Sequence, residues 1–205
     1  LAYGFGKEIE KKIAIYDLGG GTFDISVLEI GGGVYEVLGT GGNSYLGGED
    51  FDYRVVDYLA DQFRQQHGVD LRDDKMSLQR LKDAAERAKC ELSFVDKTPV
   101  LIPRVHDTLN LETTLTRDTL EELVDDLIKE TVRLTSEALR EADMSIEDLD
   151  DIILVGGMTR MPKVQETLRV FFGMTPSKGV HPEEVVAIGA AVQAFSLEEE
   201  ADDHV

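Results

Sequence analysis

The pattern of hydrophobic and polar residues indicates three short strand segments near the start of the chain, and the second of them alternates with a period of two. These segments are 11–18, 22–30 and 34–42, and glycine triplets separate them. A period of two is typical of β-strands that bury one face. The first part of the chain is therefore predicted to form a three-stranded meander with glycine-rich turns.

Later segments change to the apolar spacing of three and four residues that is typical of helices. Helices are predicted at 47–63, 77–93, 117–142, 162–173 and 183–197. The helix at 117–142 has two candidate caps, because Thr119 and Glu122 have capping-box spacing and Thr116 also fits the N-cap position.

Three further strands are predicted between the helices. Segments 98–102 and 111–115 alternate around the polar stretch 103–110, which predicts a hairpin with a polar linker. The continuous apolar run 152–155 is typical of a strand buried on both faces in a parallel sheet. The element order predicts an α/β fold with an inserted helix-plus-hairpin block.

The turn DLGGGTFD at 17–24 places three glycines between two aspartates. Glycine lets a ligand approach the main chain, and successive backbone amides form a concave anion site. Asp17 and Asp24 suit a Mg²⁺ ion that bridges carboxylates to phosphate oxygens, and Thr22 can hydrogen-bond a phosphate or its water. A plain hairpin turn is the alternative. The two acids and Thr22 favour a phosphate and metal site.

The helix at 77–93 presents a polar face opposite its alanine-rich apolar side. Glu86, Lys89, Cys90 and Ser93 share that face at spacings of three, four and seven residues. Spacing alone favours an ordinary solvated face, with Glu86 paired to Lys89. The alternative is a face that holds a polar ligand.

A second glycine turn, Gly156-Gly157, directly follows the buried strand at 152–155. Ligands of open α/β sheets bind beyond the carboxyl ends of the strands. Arg160 lies just past this turn, and a guanidinium can stack on a base. A simple turn with a surface cation explains these residues equally well.

Composition excludes several classes of partner. The 205 residues include 21 lysines and arginines against 41 acids, a net charge of −20, which argues against broad binding to nucleic acid or anionic membranes. Apolar runs are too short to span a membrane. Cys90 is the only cysteine, so we expect no disulfides and a cytoplasmic location. The chain is expected to be a piece of a longer protein.

Five segments, taken together and in order, resemble the nucleotide-binding domain of DnaK-type heat-shock chaperones. They are DLGGGTFDIS, GGEDFD, ERAKCELS, ILVGGMTRMP and HPEEVVAIGAAVQA. The resemblance implies the second lobe of an actin-like (ribonuclease H-like) ATPase fold. Its base subdomain would comprise 1–46 and 118–205, and 47–117 would form an inserted outer subdomain.

The resemblance also implies roles for individual residues. Asp17, Thr22 and Asp24 would be catalytic, with Asp17 and Asp24 at the metal. The phosphate contacts would be Gly20, Gly21 and Thr22. The adenosine contacts would be Glu86, Lys89, Cys90, Ser93, Gly156, Gly157, Arg160 and Glu183. Some members of the family carry an arginine at the position of Cys90 that stacks on the base, which a cysteine cannot do.

The implied ligands are ATP or ADP with Mg²⁺, and potassium is a further candidate ion. The implied partners are client proteins bound by a substrate-binding domain absent from this chain, a nucleotide-exchange factor at the outer subdomain, and a J-domain cochaperone. The family's catalytic lysine lies in its first lobe, so this chain alone is expected not to hydrolyse ATP. A sugar-kinase-like phosphotransferase and an actin-like filament protein are the alternatives on this superfold.

Overall fold

The structure, a computed structural model, describes residues 10–32 and 34–177. In chain order its main elements are β1 (Lys11–Leu18), β2 (Phe23–Gly31), β3 (Val34–Asn43), α1 (Gly48–His67), α2 (Lys75–Glu91), β4 (Lys97–His106), β5 (Leu109–Thr116), α3 (Arg117–Glu141), β6 (Asp151–Val155) and α4 (Pro162–Phe172). Each strand and helix predicted between 11 and 173 is present. The helix predicted at 183–197, with Glu183, lies outside the described residues.

Four strands form one mixed sheet in the order β3–β2–β1–β6. The β1–β2 and β2–β3 pairs are antiparallel, whereas β6 runs parallel to β1, as its continuous apolar run predicted. A parallel neighbour needs a long crossover connection, and the helices and hairpin between β3 and β6 provide one. Because β1 and β6 end at the same edge, Asp17 pairs with Val155 there.

Helix α3 covers one face of this sheet and packs on β2 and β3. A Cβ atom at Gly39 would lie 2.5 Å from the Ala138 carbonyl oxygen, so the glycine allows helix and strand backbones to meet. The buried Tyr16 hydroxyl donates a 2.6 Å hydrogen bond to Thr131 Oγ1 on α3. Burial raises the pKa of Tyr16, which keeps the hydroxyl neutral and donating.

Helices α1 and α2 pack against each other, and α2 also packs on the two-stranded hairpin β4–β5. The apolar face predicted for α2 is buried: Leu81, Ala84, Ala85, Ala88 and Leu92. Small alanine side chains let α2 approach its neighbours closely. This packing fixes the direction in which the opposite, polar face of α2 points.

The prediction that 103–110 forms a polar linker between the two hairpin strands is wrong. Strand β4 continues to His106, and only Asp107 and Thr108 separate it from β5. The pairing register slips between Ile102 and His106, which breaks the alternation by which a strand is recognised. The Val105 carbonyl accepts a 2.6 Å hydrogen bond from Ser77 Oγ, so this part of the hairpin is tied to α2.

The helix ends follow local sequence signals. Thr116, rather than Thr119, caps α3, because its Oγ1 accepts a 3.2 Å hydrogen bond from the Thr119 amide. Helix α4 starts at Pro162 and stops before Gly173, whose φ of 67° is left-handed, as predicted. In the described part of the chain, no helix combines the length and apolar character needed to cross a membrane.

Candidate functional site

The glycine turn, Gly19–Gly21, joins β1 to β2 and is held against the start of α1. The carbonyl oxygens of Gly19 and Gly20 accept hydrogen bonds of 2.9 and 2.8 Å from the amides of Gly48 and Glu49. Two amides at the start of a helix lack partners within it, and here the turn satisfies them. The turn is therefore fixed to α1 by backbone atoms alone.

Gly47 is required for this contact. A Cβ atom at Gly47 would lie 2.5 Å from the Gly21 backbone, which no side chain permits. Gly20, Gly21 and Thr22 are exposed beyond the contact, so a ligand can reach this stretch of main chain. The structure thus gives the turn the open, bare backbone that its sequence predicted.

Two carboxylates flank the glycine turn. Asp17 and Asp24 are directly paired across β1 and β2, and Thr22 Oγ1 donates a 3.1 Å hydrogen bond to Asp24 Oδ2. Burial, and then the negative charge of Asp24, raise the pKa of Asp17. Asp17 and Asp24 together offer two carboxylates to a metal ion. The described residues contain no group of three or more histidine, cysteine or acidic side chains that could hold one.

The second glycine turn lies beside the first. Gly156 follows β6 with a φ of 87°, and a Cβ atom there would lie 2.2 Å from the Leu18 carbonyl oxygen and 2.8 Å from Asp17 Oδ1. Only glycine fits both the backbone conformation and the space. The two turns, more than 130 residues apart in sequence, are in contact through Leu18 and Asp17.

A cavity of about 440 Å³, the central cavity, opens between α1, α2 and the turn after β6. The residues predicted from sequence that line it are Gly20, Glu86, Lys89, Cys90, Ser93, Gly157 and Arg160. The remaining predicted residues in the described part lie outside the lining: Asp17, Gly21, Thr22, Asp24 and Gly156. The polar face of α2 and both glycine turns therefore converge on one place, and its volume is typical of small-molecule sites.

Lys89 lines the cavity but is more buried than helical spacing alone predicts. It was predicted to sit on a polar face, paired with Glu86 or free to hold a ligand, but it is 8% exposed. Its Nζ donates hydrogen bonds of 2.9 Å to Asp52 Oδ2 and 3.0 Å to the Gly48 carbonyl oxygen, both on α1. Its positive charge is therefore already paired with a carboxylate of the protein.

Asp52 completes this buried ion pair and was not predicted. The other carboxylate oxygen, Asp52 Oδ1, also lies 2.9 Å from Lys89 Nζ, but it accepts no hydrogen bond. Burial raises the pKa of Asp52, while Lys89 opposes the rise. Since Gly48 also bonds to the glycine turn, the pair links α2 to that turn through the first residues of α1.

Sequence patterns missed six residues of the cavity lining: Gly48, Glu49, Asp52, Phe94, Met158 and Met161. Gly48 and Asp52 lie four residues apart on α1, so helical spacing places them on one face, but nothing local shows that this face meets Lys89. The two methionines flank Arg160 and make that wall of the cavity apolar.

The sequence model of the family described as Hsp70 protein matches residues 1–204. This match covers nearly the whole chain, and it agrees with the mixed α/β sheet and with the convergence of the glycine turns and the α2 face. The chain belongs to the Hsp70 family, which implies an actin-like ATPase fold and the ATP-binding domain of a chaperone.

Proposed function

We propose that this chain is one lobe of the nucleotide-binding domain of an ATP-dependent protein-folding chaperone. Adenosine occupies the central cavity, and the phosphates lie at the glycine turn. The observation that carries the proposal is that Gly20 both lines the cavity and belongs to the turn. One extended ligand with a nucleoside at one end and phosphates at the other fits these adjacent sites.

The sugar and base contacts come from two walls of the cavity. Glu86 on α2 and Ser93 just after it have oxygens that can hydrogen-bond the ribose or base, and Arg160 lines the cavity from the turn after β6. Lys89 contributes by holding α2 against α1, because its ammonium is paired with Asp52. The proposed contact with Glu183 involves a residue outside the described part of the chain.

The acid pair fits the Mg²⁺ that accompanies ATP in this family. Burial, and then the charge of Asp24, raise the pKa of Asp17, and a cation beside both carboxylates would relieve the repulsion between them. Asp17 and Asp24 would hold the ion directly or through water, since carboxylate oxygens are ligands that Mg²⁺ prefers. When bound, Mg²⁺ neutralises charge on the phosphate oxygens. Asp17, Thr22 and Asp24 are the proposed catalytic residues, with Thr22 positioning water or phosphate.

A division into two subdomains accompanies this proposal. Residues 1–46 and 118–205 form the base, and 47–117 form the outer subdomain. The hairpin β4–β5 supports the division, because it makes a sheet separate from the four-stranded one. The cavity then lies where the two subdomains meet, and a shift of α2 relative to the glycine turn would open it.

The proposed partners follow from family membership. In the longer protein, a substrate-binding domain holds unfolded clients, a nucleotide-exchange factor binds the outer subdomain, and a J-domain cochaperone stimulates hydrolysis. We also propose a cytoplasmic location. The family match favours this chaperone role over a sugar-kinase-like phosphotransferase or an actin-like filament protein.

Glu86→Ala tests the adenosine site. We expect Mg-ADP affinity to fall by roughly 1–3 kcal/mol in the two-lobe protein, in which this chain follows the family's first lobe, because the bound nucleoside loses a hydrogen-bond partner. Isothermal titration calorimetry measures the change. Glu166→Ala, at an exposed glutamate on α4, is the matched control and should leave affinity unchanged. Equal affinity in the Glu86 and Glu166 variants would refute the proposed site.

A further inference from the structure

Phe94 lies on the wall of the central cavity with 79% of its surface exposed. It follows the end of α2, and its amide donates a 2.9 Å hydrogen bond to the Glu91 carbonyl oxygen, which fixes the backbone there. Single exposed apolar residues are common on protein surfaces. This one differs because it shares a cavity with Met158 and Met161, so the aromatic ring borders an apolar wall.

The remaining side chains of the α2 wall offer hydrogen bonds or charge but no flat apolar surface. Glu86 and Ser93 are polar, and Cys90, one helical turn before Phe94, carries only a thiol. A nucleobase is a flat aromatic ring, and stacking on an aromatic side chain is a common way to bind its face. Phe94 is the one aromatic residue in the described lining of the cavity.

We propose that Phe94 is the stacking surface for the nucleobase and favours purines over pyrimidines. This inference rests on the proposed function and adds the residue that selects the base. The larger purine ring covers more of the phenyl face, so apolar contact increases with base size. The phosphates are proposed to lie at the glycine turn, to which Phe94 does not belong, so Phe94 should affect only the base.

A single tryptophan reports this contact directly. The chain contains no tryptophan, so Phe94→Trp introduces the sole indole on the cavity wall. We expect Mg-ADP to quench its fluorescence and Mg-pyrophosphate, which has no base, to leave it unchanged. Val170→Trp on α4, at a site 71% exposed, is the matched control and should respond to neither ligand. Unchanged fluorescence of the Phe94→Trp variant under saturating Mg-ADP would overturn the inference.

Calorimetry on the two-lobe protein then measures the effect on affinity, because the chain by itself should bind nucleotide weakly. Phe94→Ala should weaken Mg-ADP binding about tenfold, within the range known for base stacking. It should leave Mg-pyrophosphate binding unchanged and reduce the preference for Mg-ADP over Mg-CDP. Phe94→Tyr keeps the ring and should bind Mg-ADP like the unsubstituted two-lobe protein.

The two proposals fail in different ways. If the unsubstituted two-lobe protein binds Mg-ADP and its Phe94→Ala variant binds it equally well, the role of Phe94 is overturned and the proposed function stands. If Phe94→Ala weakens Mg-ADP and Mg-pyrophosphate alike, the residue is structural and the inference is again overturned. If the unsubstituted two-lobe protein binds no Mg-ADP, both proposals are overturned.

Discussion

Folding partly buries Asp17, and burial disfavours its ionised form. The proposed ion site requires that ionised form. Burial, and then the charge of Asp24, raise its pKa above the ordinary value for an aspartate. The folded state therefore binds the proton more tightly than the unfolded state. An ionised Asp17 lowers stability at neutral pH, and this penalty disappears as pH falls through the folded-state pKa.

Asp17→Asn should consequently stabilise the chain while impairing its proposed function. Without Mg²⁺ at pH 7, we expect Tm to rise by about 1–3 °C, the scale of a change below 1 kcal/mol, and this gain should shrink at acidic pH. Mg²⁺ should raise the Tm of the unsubstituted chain more than that of the variant. In the two-lobe protein, turnover should fall at least tenfold, more than affinity, because the charge acts where the transition state develops.

Differential scanning calorimetry measures the Tm values, and a phosphate-release assay measures turnover. Asp107→Asn, at an exposed turn of the hairpin, is the control and should change neither quantity. A lower Tm for Asp17→Asn, or an equal response of both proteins to Mg²⁺, would contradict the proposed ion site.

Residue-level prediction succeeded where the signal was local. The bare backbone of Gly20 and the flanking acids were visible in a stretch of eight residues. The need for glycine at Gly156 was not visible, because it arises from the Leu18 carbonyl oxygen 2.2 Å from a Cβ atom there. That contact exists only after β6 has paired with β1.

At the scale of the element, helical spacing defined the two faces of α2 but not their partners. The buried alanine face was predicted because its period is a property of the segment itself. The pairing of Lys89 with Asp52 was not predicted. Asp52 lies 37 residues earlier in the chain, and the pair forms only because α2 packs on α1. The prediction of the hairpin linker was wrong because the register shift between Ile102 and His106 interrupts the alternation of the strand.

A double-mutant cycle tests whether Lys89 and Asp52 hold α1 and α2 together. Asp52→Ala leaves a largely buried ammonium without its carboxylate, so we expect a loss of about 2–4 kcal/mol of unfolding free energy. Lys89→Met should cost less, and the double variant Asp52→Ala/Lys89→Met should recover part of the loss. Urea unfolding measures all four proteins, with an expected coupling of roughly 1–3 kcal/mol.

The same cycle has a control and a clear contrary result. Asp126 pairs with Arg54 on an exposed surface, and Asp126→Ala should cost less than about 1 kcal/mol. If the effects of Asp52→Ala and Lys89→Met add without coupling, the pair does not link the two helices, and the helices are held by apolar packing alone.

At the scale of the whole molecule, the order of elements predicted an α/β fold, and the structure has a mixed sheet with helices. The central cavity was not predictable from spacing, because its lining comes from separate segments between Gly20 and Met161. Only the resemblance of the ordered motifs to a known family placed those segments together. The net charge of −20 adds a constraint at this scale, since it leaves local amides and cations to hold an anionic ligand.

The chain by itself should bind nucleotide weakly and should not hydrolyse ATP. Phosphoryl transfer depends on groups that surround the phosphates and position the attacking water. In the proposed site, the glycine turn with Asp17 and Asp24 contacts the phosphates from one side, and Gly20, Gly21 and Thr22 are exposed in this chain. Lys89 is paired with Asp52 and Gly48, so its ammonium is not available to the phosphates.

Purified chain and two-lobe protein should therefore differ in turnover by several orders of magnitude. A phosphate-release assay at saturating Mg-ATP measures both, and Asp17→Asn in each background separates turnover at this site from a contaminating ATPase. Adding the isolated first lobe to the chain should restore some activity if the two halves assemble, because the missing groups then approach the phosphates from the other side. Steady turnover by the chain alone, near the two-lobe rate and lost in Asp17→Asn, would mean that these 205 residues hold the complete catalytic site.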